Sequence, residues 1–356
     1  MPSITPDTVA FDVAGGVDTH QDTHTAAVID VIGRVLGTEQ FPATAAGYVA
    51  LLSWMRGFGR VGRVGVEGTG AYGAGLTRRL REQGVEVIEV DRPHRKTRRF
   101  QGKSDPIDAI AAAKAALAGE RTGLPKQRDG RVEALRNLRV ARRSAVEQRS
   151  DAQRQIKSLI ITAPDELRAQ LRGLTTAKLI ATCANTRPDH ADAGSPVTAV
   201  TIALRSLARR HQHLSVEIAD LDALLEPLVA SINPALISVA GVGTDVAGQL
   251  LVTAGENHDR LTSEASFAML CGVAPLPASS GKTTRHRLNR GGDRQANAAL
   301  YRVVLGRLRW DSRTRAYAQR RTTEGMSKKE IIRCLKRYVA RELYQLIVIP
   351  EHHRTT

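Results

Sequence analysis

GKSDPIDAIAAAKAALA, residues 102–118, places two aspartates three positions apart, with a proline directly after the first. Proline suits the first helical position, where its missing N–H would have no partner. The stretch therefore predicts a helix starting at Asp105–Pro106. Residues three apart on a helix share a face, so Asp105 and Asp108 direct two carboxylates into one small volume. Taken alone, the pair is better read as an N-cap and a first-turn acid, because both positions favour aspartate. Two more acids shift the balance. The strand-like runs at 13–18 and 61–67 end on Asp18 and Glu67.

Working outward, residues 24–32 and 35–41 read as further strands with a turn at Gly33. Residues 44–58 carry helical spacing through Ala46, Val49, Ala50 and Trp54, with Thr44 as cap. Helix 70–83 and strand 85–90 follow. The order strand, strand, strand, helix, strand, helix, strand, helix is the layout of the ribonuclease-H-like fold, a mixed sheet with helices on its faces. Acids at the ends of strands one and four, with a late helix, are where that fold holds divalent metal. Asp18, Glu67, Asp105 and Asp108 are the candidate ligands, hard oxygens suited to Mg²⁺. Two such ions roughly 3.5–4 Å apart stabilise both the attacking and the leaving oxygen of a phosphodiester. In a fully extended chain Asp18, His20, Asp22 and His24 would share a face as a transition-metal site. A turn soon after Asp18 is the favoured expectation, with the histidines on phosphate or solvent. Gly68, Gly70 and Gly73 around Glu67 allow backbone or ligand to come close.

Charge points to a polyanionic partner. The 356 residues carry 52 Lys and Arg against 36 acids, a net +16. Residues 279–344 alone hold 18 basic and 5 acidic side chains. With 2 Trp, 6 Tyr and 5 Phe, base stacking is not the main device, and backbone contacts fit better. Between strand 85–90 and the acidic helix, Arg95, Lys96, Arg98, Arg99 and Lys103 read as a clamp on a nucleic-acid backbone. Cys183, Cys271 and Cys334 lie far apart and form neither a metal spacing nor a disulfide framework. No long apolar span is present, and the expected setting is a reducing cytoplasm, away from membranes.

From about Arg128 the pattern changes. Leu135, Leu138, Ala145, Ala152, Ile156 and Leu159 keep coiled-coil-like spacing, interrupted by Arg142 and Arg149. Leu204, Leu207, Leu214, Ile218, Leu221, Leu225 and Leu228 form a second stripe. Two long helices with an irregular, proline-bearing insertion at 164–196 are expected, packed on each other or on a second chain. Residues 233–254 read as helix, turn, helix around Gly241-Val242-Gly243, a spacing similar to a helix–hairpin–helix. Ser279 and Ser280 precede Gly281 on a loop, close to Lys282, Arg285, Arg287, Arg290 and Arg294. Such a serine is a candidate nucleophile, with the cations neutralising a phosphoryl oxyanion. Helices at 297–308 and 327–346 close the chain. The expected domains are 1–125, 126–232 and 233–356.

The ordered motifs GVDTHQDTH, GVEGTGAYG, KSDPIDA, AGVGTDVA, GVAPLPASSGKTTRHRLNRGGDRQANAALYR and CLKRYVARELY run from residue 16 to residue 344. This set resembles the DEDD-type transposases, or bridge-RNA-guided serine recombinases, of the insertion-sequence group one-hundred-and-ten. Gln21 stands where many relatives have lysine. The resemblance implies an α/β ribonuclease-H-like (RuvC-like) N-terminal domain, a long coiled-coil-like helical linker and a mostly helical C-terminal transposase domain. It implies an acidic tetrad of Asp18, Glu67, Asp105 and Asp108 holding Mg²⁺, and a nucleophilic serine at Ser280, with Ser279 one register away. It further implies a covalent phosphoserine link to DNA, donor and target DNA as substrates, an element-encoded guide RNA, and a homodimer assembling to a tetramer. The alternative function is a Mg²⁺-dependent RuvC-like junction resolvase or nuclease with a DNA-binding C-terminal domain.

Overall fold

A computed structural model of the chain describes residues 12–90, 104–119, 122–279, 281, 286–287 and 289–348. Contacts divide it after residue 128 into two units.

The first unit is built on a six-stranded mixed sheet in the order β3-β2-β1-β4-β5-β6. Its strands are β1 (Val13–Thr19), β2 (Thr23–Asp30), β3 (Val35–Pro42), β4 (Val61–Glu67), β5 (Glu86–Val90) and the two-residue β6 (Thr122–Gly123). β1, β2 and β3 run antiparallel in sequence, β4 is parallel to both β1 and β5, and β6 pairs antiparallel with β5. Side chains alternate between the faces of each strand, and the two faces bury different partners. Val13, Val17, Val64, Val66 and Val87 pack against Leu51, Leu52 and Met55 of α1 (Ala45–Arg56) and Leu76 and Leu80 of α2 (Ala74–Glu82). The opposite face receives α3 (Asp105–Ala118), whose Ala109, Ala112, Ala113 and Ala116 are all buried.

Two glycines set how near α3 can lie. A Cβ on Gly16 of β1 would fall 2.1 Å from the Ala113 nitrogen and 2.2 Å from the Ala109 carbonyl oxygen. A Cβ on Gly65 of β4 would fall 2.4 Å from the Ala112 oxygen. Helix backbone thus rests directly on strand backbone. Gly119, at φ +67°, ends the helix in the left-handed conformation that favours glycine.

In the second unit, α4 (Arg131–Thr162) and α7 (Pro196–Ile232) lie antiparallel, each roughly 50 Å long at 1.5 Å per residue. Ala145 meets Leu214 and Ile218 midway along the pair. The insertion is helical, where an irregular segment was expected. α5 (Asp165–Arg172) and α6 (Thr176–Asn185) bury Leu171, Leu179, Ile180 and Cys183 against Ile156, Ile160, Leu204 and Ala208. Pro164 is the N-cap of α5 and Pro196 opens α7, so these prolines begin helices. Arg142, which breaks the apolar seam of α4, forms an ion pair with Asp222 of α7.

The remaining helices are α8 (Pro234–Ile237), α9 (Thr244–Ala254), α10 (Glu264–Leu270), α11 (Arg294–Trp310), α12 (Ser312–Thr323) and α13 (Lys328–Val348), with the short hairpin β7 (Leu276–Pro277) and β8 (His286–Arg287). Leu135 of α4 and Leu225 and Val229 of α7 share one core with Leu236, Val246, Leu250, Phe267, Leu300, Val303 and Leu343. The foot of the helix pair is therefore continuous with the C-terminal bundle. Among the described residues, no helix is long and apolar enough to cross a membrane.

Candidate functional site

The acids converge because strand alternation and helix start coincide. Gly16 and Gly65 face α3, so Asp18 and Glu67, two positions further along neighbouring parallel strands, lie on that same face. They sit one residue past the Val17–Val66 pair in each strand. α3 begins over this edge, with Asp105 and Asp108 in its first turn. Asp18 and Asp108 are 8% and 5% exposed.

The structure brings one ligand-atom set together. Atoms of Asp18, His20 and Asp105 all lie within 4.8 Å of one another. His20 Nε2 is 3.3 Å from Asp18 Oδ2 and 3.4 Å from Asp105 Oδ1. Burial pushes the Asp18 carboxyl above its usual range; His20 opposes this, while Asp108 and Asp105 add to it by repulsion. Asp108 therefore stands within electrostatic reach of Asp18. Glu67 lies on the same face by strand register, outside the set of ligand atoms that meet, and its backbone oxygen accepts a 2.8 Å bond from Thr19 Oγ1. Partly desolvated carboxylates clustered against one another, with an imidazole between two of them, form a donor set that fits a hard divalent cation.

The alternating histidine site does not form. The chain turns between β1 and β2, with His20 N–H donating to the Thr23 carbonyl. Asp22 is exposed on that turn. His24 is fully buried, stacked on Tyr48 at 5.5 Å, with Nδ1 3.0 Å from the Thr23 oxygen. It belongs to the core. Of the two histidines, only His20 reaches the acids. The sequence signal for it was its place two residues beyond Asp18, on the solvent side of the hairpin.

The glycines after Glu67 serve packing more than access. A Cβ on Gly73 would meet Val66 and the Gly68 oxygen, and one on Gly70 would meet the Arg128 guanidinium. Helix α2 accordingly starts at Ala74, later than expected, after a run of turns.

Arg95, Lys96, Arg98, Arg99, Lys103, Ser280, Lys282 and Arg285 lie outside the described residues. Ser279 is exposed, and Gly281 holds φ +54°. Arg287, Arg290 and Arg294 are exposed beside the same loop. The loop is anchored firmly at both ends. Asp293 caps α11 by accepting from the Gln295 and Ala296 N–H groups, and its other oxygen accepts from Thr253. A Cβ on Gly292 would strike the Gly272 nitrogen at 2.1 Å. The connection before α9 has a single helical turn, α8, as its first arm. The first-turn Asp245 of α9 accepts from Arg139 and Arg302. Burial opposes ionisation of Asp245, but these guanidiniums prevail and hold its carboxyl below the usual range.

Comparison with known proteins agrees with this layout. Residues 15–163 match the family model of DEDD-type IS110 proteins, described as "Transposase". Residues 233–319 match the model described as "Transposase IS116/IS110/IS902 family". The insertion element IS110 uncharacterized 43.6 kDa protein of Streptomyces coelicolor is 30% identical over 143 residues, 40% of this chain and 35% of the relative. The insertion element IS900 uncharacterized 42 kDa protein of Mycobacterium paratuberculosis is 30% identical over 142 residues, 39% of this chain and 35% of the relative. The aligned stretch thus spans about a third of each relative's length. Two family models of IS110-type transposases thus match this one polypeptide in order, the first over residues 15–163 and the second over residues 233–319.

Proposed function

We propose that this chain is an insertion-sequence transposase that cuts and rejoins DNA strands through a covalent phosphoserine intermediate, with Mg²⁺ and an element-encoded guide RNA. The observation that carries the reading is the meeting of Asp18, His20 and Asp105 at one sheet edge, with Asp108 beside them. The sheet order β3-β2-β1-β4-β5 supports a RuvC-like assignment for the first unit. Asp18, Glu67, Asp105 and Asp108 would hold Mg²⁺, which supplies charge stabilisation at a scissile phosphate. In this reading His20 bridges two of the acids and orients them. The Ser280 oxygen bonds to phosphorus as the scissile P–O bond breaks; serine gives up its proton and the departing strand oxygen gains one. A second strand hydroxyl later displaces serine in the reverse sense. The phosphodiester count is conserved, so no ATP is needed. Donor and target DNA are selected by pairing with the guide RNA, and a homodimer assembling to a tetramer holds both.

The test uses the full chain with guide RNA, Mg²⁺ and labelled donor and target DNA. Ser280→Ala and Asp105→Asn should each abolish strand joining while the melting curve stays cooperative. Normal joining by Ser280→Ala overturns the nucleophile assignment. Hydrolysed ends without a protein–DNA adduct overturn the transposase chemistry in favour of a RuvC-like nuclease.

A further inference from the structure

The C-terminal unit holds a cavity of about 680 Å³ between residues 272–275, 286, 287 and 289 on one side and α13 on the other. Its walls include Pro275, Arg287, Asn289, Cys334, Lys336 and Tyr338. Lys336 is 8% exposed. Its Nζ donates to Asn297 Oδ1 at 2.7 Å. Asn297 is itself fixed, since its Nδ2 donates to the Cys271 and Gly272 carbonyls at 3.2 and 2.9 Å. An ammonium has three N–H donors, and this arrangement engages one.

The charge is the anomaly. Among the described residues no carboxylate pairs with Lys336. Glu330, on the same cavity, accepts from the Ser327 hydroxyl and N–H at 2.6 and 3.0 Å. Arg337 is held bidentate by Glu264. Burial and the nearby Arg333 both press the Lys336 pKa down. A buried cation beside like charge, with no carboxylate paired to it among the described residues, is an expensive arrangement unless a ligand completes it. Arg287 at the exposed rim adds a second cation on the wall. The volume falls in the range of small-ligand sites, about 300–1,000 Å³, well above what one phosphate fills. Tyr338 offers a ring at the wall for a base. The same segment of chain carries Ser279 and Gly281.

We propose that this cavity is a nucleotide pocket: it seats one nucleotide of a single strand, with its phosphate on Lys336 Nζ, next to the serine-bearing turn. The inference rests on the reading of the chain as one that acts on nucleic-acid strands.

The test uses the full chain in EDTA, with the 5′-phosphorylated thymidine dinucleotide pTpT as probe, and thymidine and inorganic phosphate as controls. Cys334 lies on the cavity wall, while Cys183 and Cys271 are buried. Saturating pTpT should slow alkylation of Cys334 by iodoacetamide several-fold in the unaltered protein; thymidine should not. By calorimetry, Lys336→Met should weaken pTpT binding about tenfold, the scale of a lost charged hydrogen bond, and should leave the melting temperature equal or higher. Absence of protection, or unchanged affinity with a lowered melting temperature, overturns the proposal and makes Lys336 a brace for Asn297. Equal protection by inorganic phosphate overturns the nucleotide assignment in favour of a simple anion site. The alkylation assay needs no variant, so it decides even where Lys336→Met misfolds. Asp105→Asn should retain pTpT protection, so a failure of strand-joining chemistry and a failure of this pocket are separately visible.

Discussion

Replacing Gly16 by alanine tests the geometry on which the acidic cluster depends. The added methyl would stand 2.1 Å from the Ala113 nitrogen, 2.2 Å from the Ala109 oxygen and 2.7 Å from the Ala113 Cα. Ordinary contact begins near 3.4 Å, so relief requires α3 to retreat by about 1 Å. All three obstructing atoms are backbone, which cannot rotate away. Overpacking of this kind costs about 1–3 kcal/mol, and the rigid contact places Gly16→Ala at the upper end. At about 3–5 °C per kcal/mol for a unit of this size, the N-terminal unit should melt roughly 9–15 °C lower. The same retreat draws Asp105 and Asp108 away from Asp18, and a misplacement of about 1 Å costs on the order of a hundredfold in rate. Gly15→Ala is the internal control. Its methyl would meet Met55 Cε and Sδ at 2.8 and 2.9 Å, the end of a flexible side chain that can move aside. Differential scanning fluorimetry and strand-joining assays on both variants decide the matter. Wild-type behaviour in Gly16→Ala, or a larger defect in Gly15→Ala, refutes the close-packed helix as the device that aligns the acids.

Asp18→Asn removes a desolvated carboxylate that Asp108 and Asp105 repel; metal-free protein should melt no lower than wild type, while the stabilisation by Mn²⁺, about 2.7 kcal/mol at a hundredfold excess over Kd, should vanish in a thermal titration. Glu264 accepts from Arg337 and Arg341, which bring its carboxyl from 4.5 down to about 2. Its stabilisation is complete above pH 4.5 and is lost as pH falls towards 2. The melting gap between wild type and Glu264→Gln, about 1 kcal/mol after solvent screening, should therefore close over that window in a pH series. Asp245→Ala leaves Arg139 buried without its carboxylate and should destabilise the C-terminal unit by about 3 kcal/mol; an unchanged melting curve would show that Arg139 finds another partner.

The parts of the fold that rest on local pattern were readable in advance. All five longer strands end within two residues of the reading, because alternation and turn residues act over short range. That Asp18 and Asp105 meet was legible because strand ends and a proline-started helix are local signals. Gly16 and Gly65 were not, since their role exists only once a helix some 90 and 40 positions later lies on them. The insertion at 164–196 was misread because Pro164 and Pro196 look like breakers until one sees that each stands where a helix begins. α12 was missed because none of its residues is buried, so it has no apolar stripe to betray its period. His24 could be placed only with Tyr48 in view, its stacking partner from α1.

The antiparallel helix pair has a mechanical corollary. Its two members run unbroken from the tip formed by α5 and α6 down into the bundle, where Leu135, Leu225 and Val229 are embedded. There Arg139 and Arg302 grip one aspartate from different helices, and Arg302 rides on α11, whose cap Asp293 adjoins the tight Gly292–Gly272 crossing. The tip lies roughly 35 Å from Arg139 along α4, at 1.5 Å per residue. The long arm and the C-terminal bundle are thereby clasped at a single carboxylate, Asp245, held from α4 and from α11.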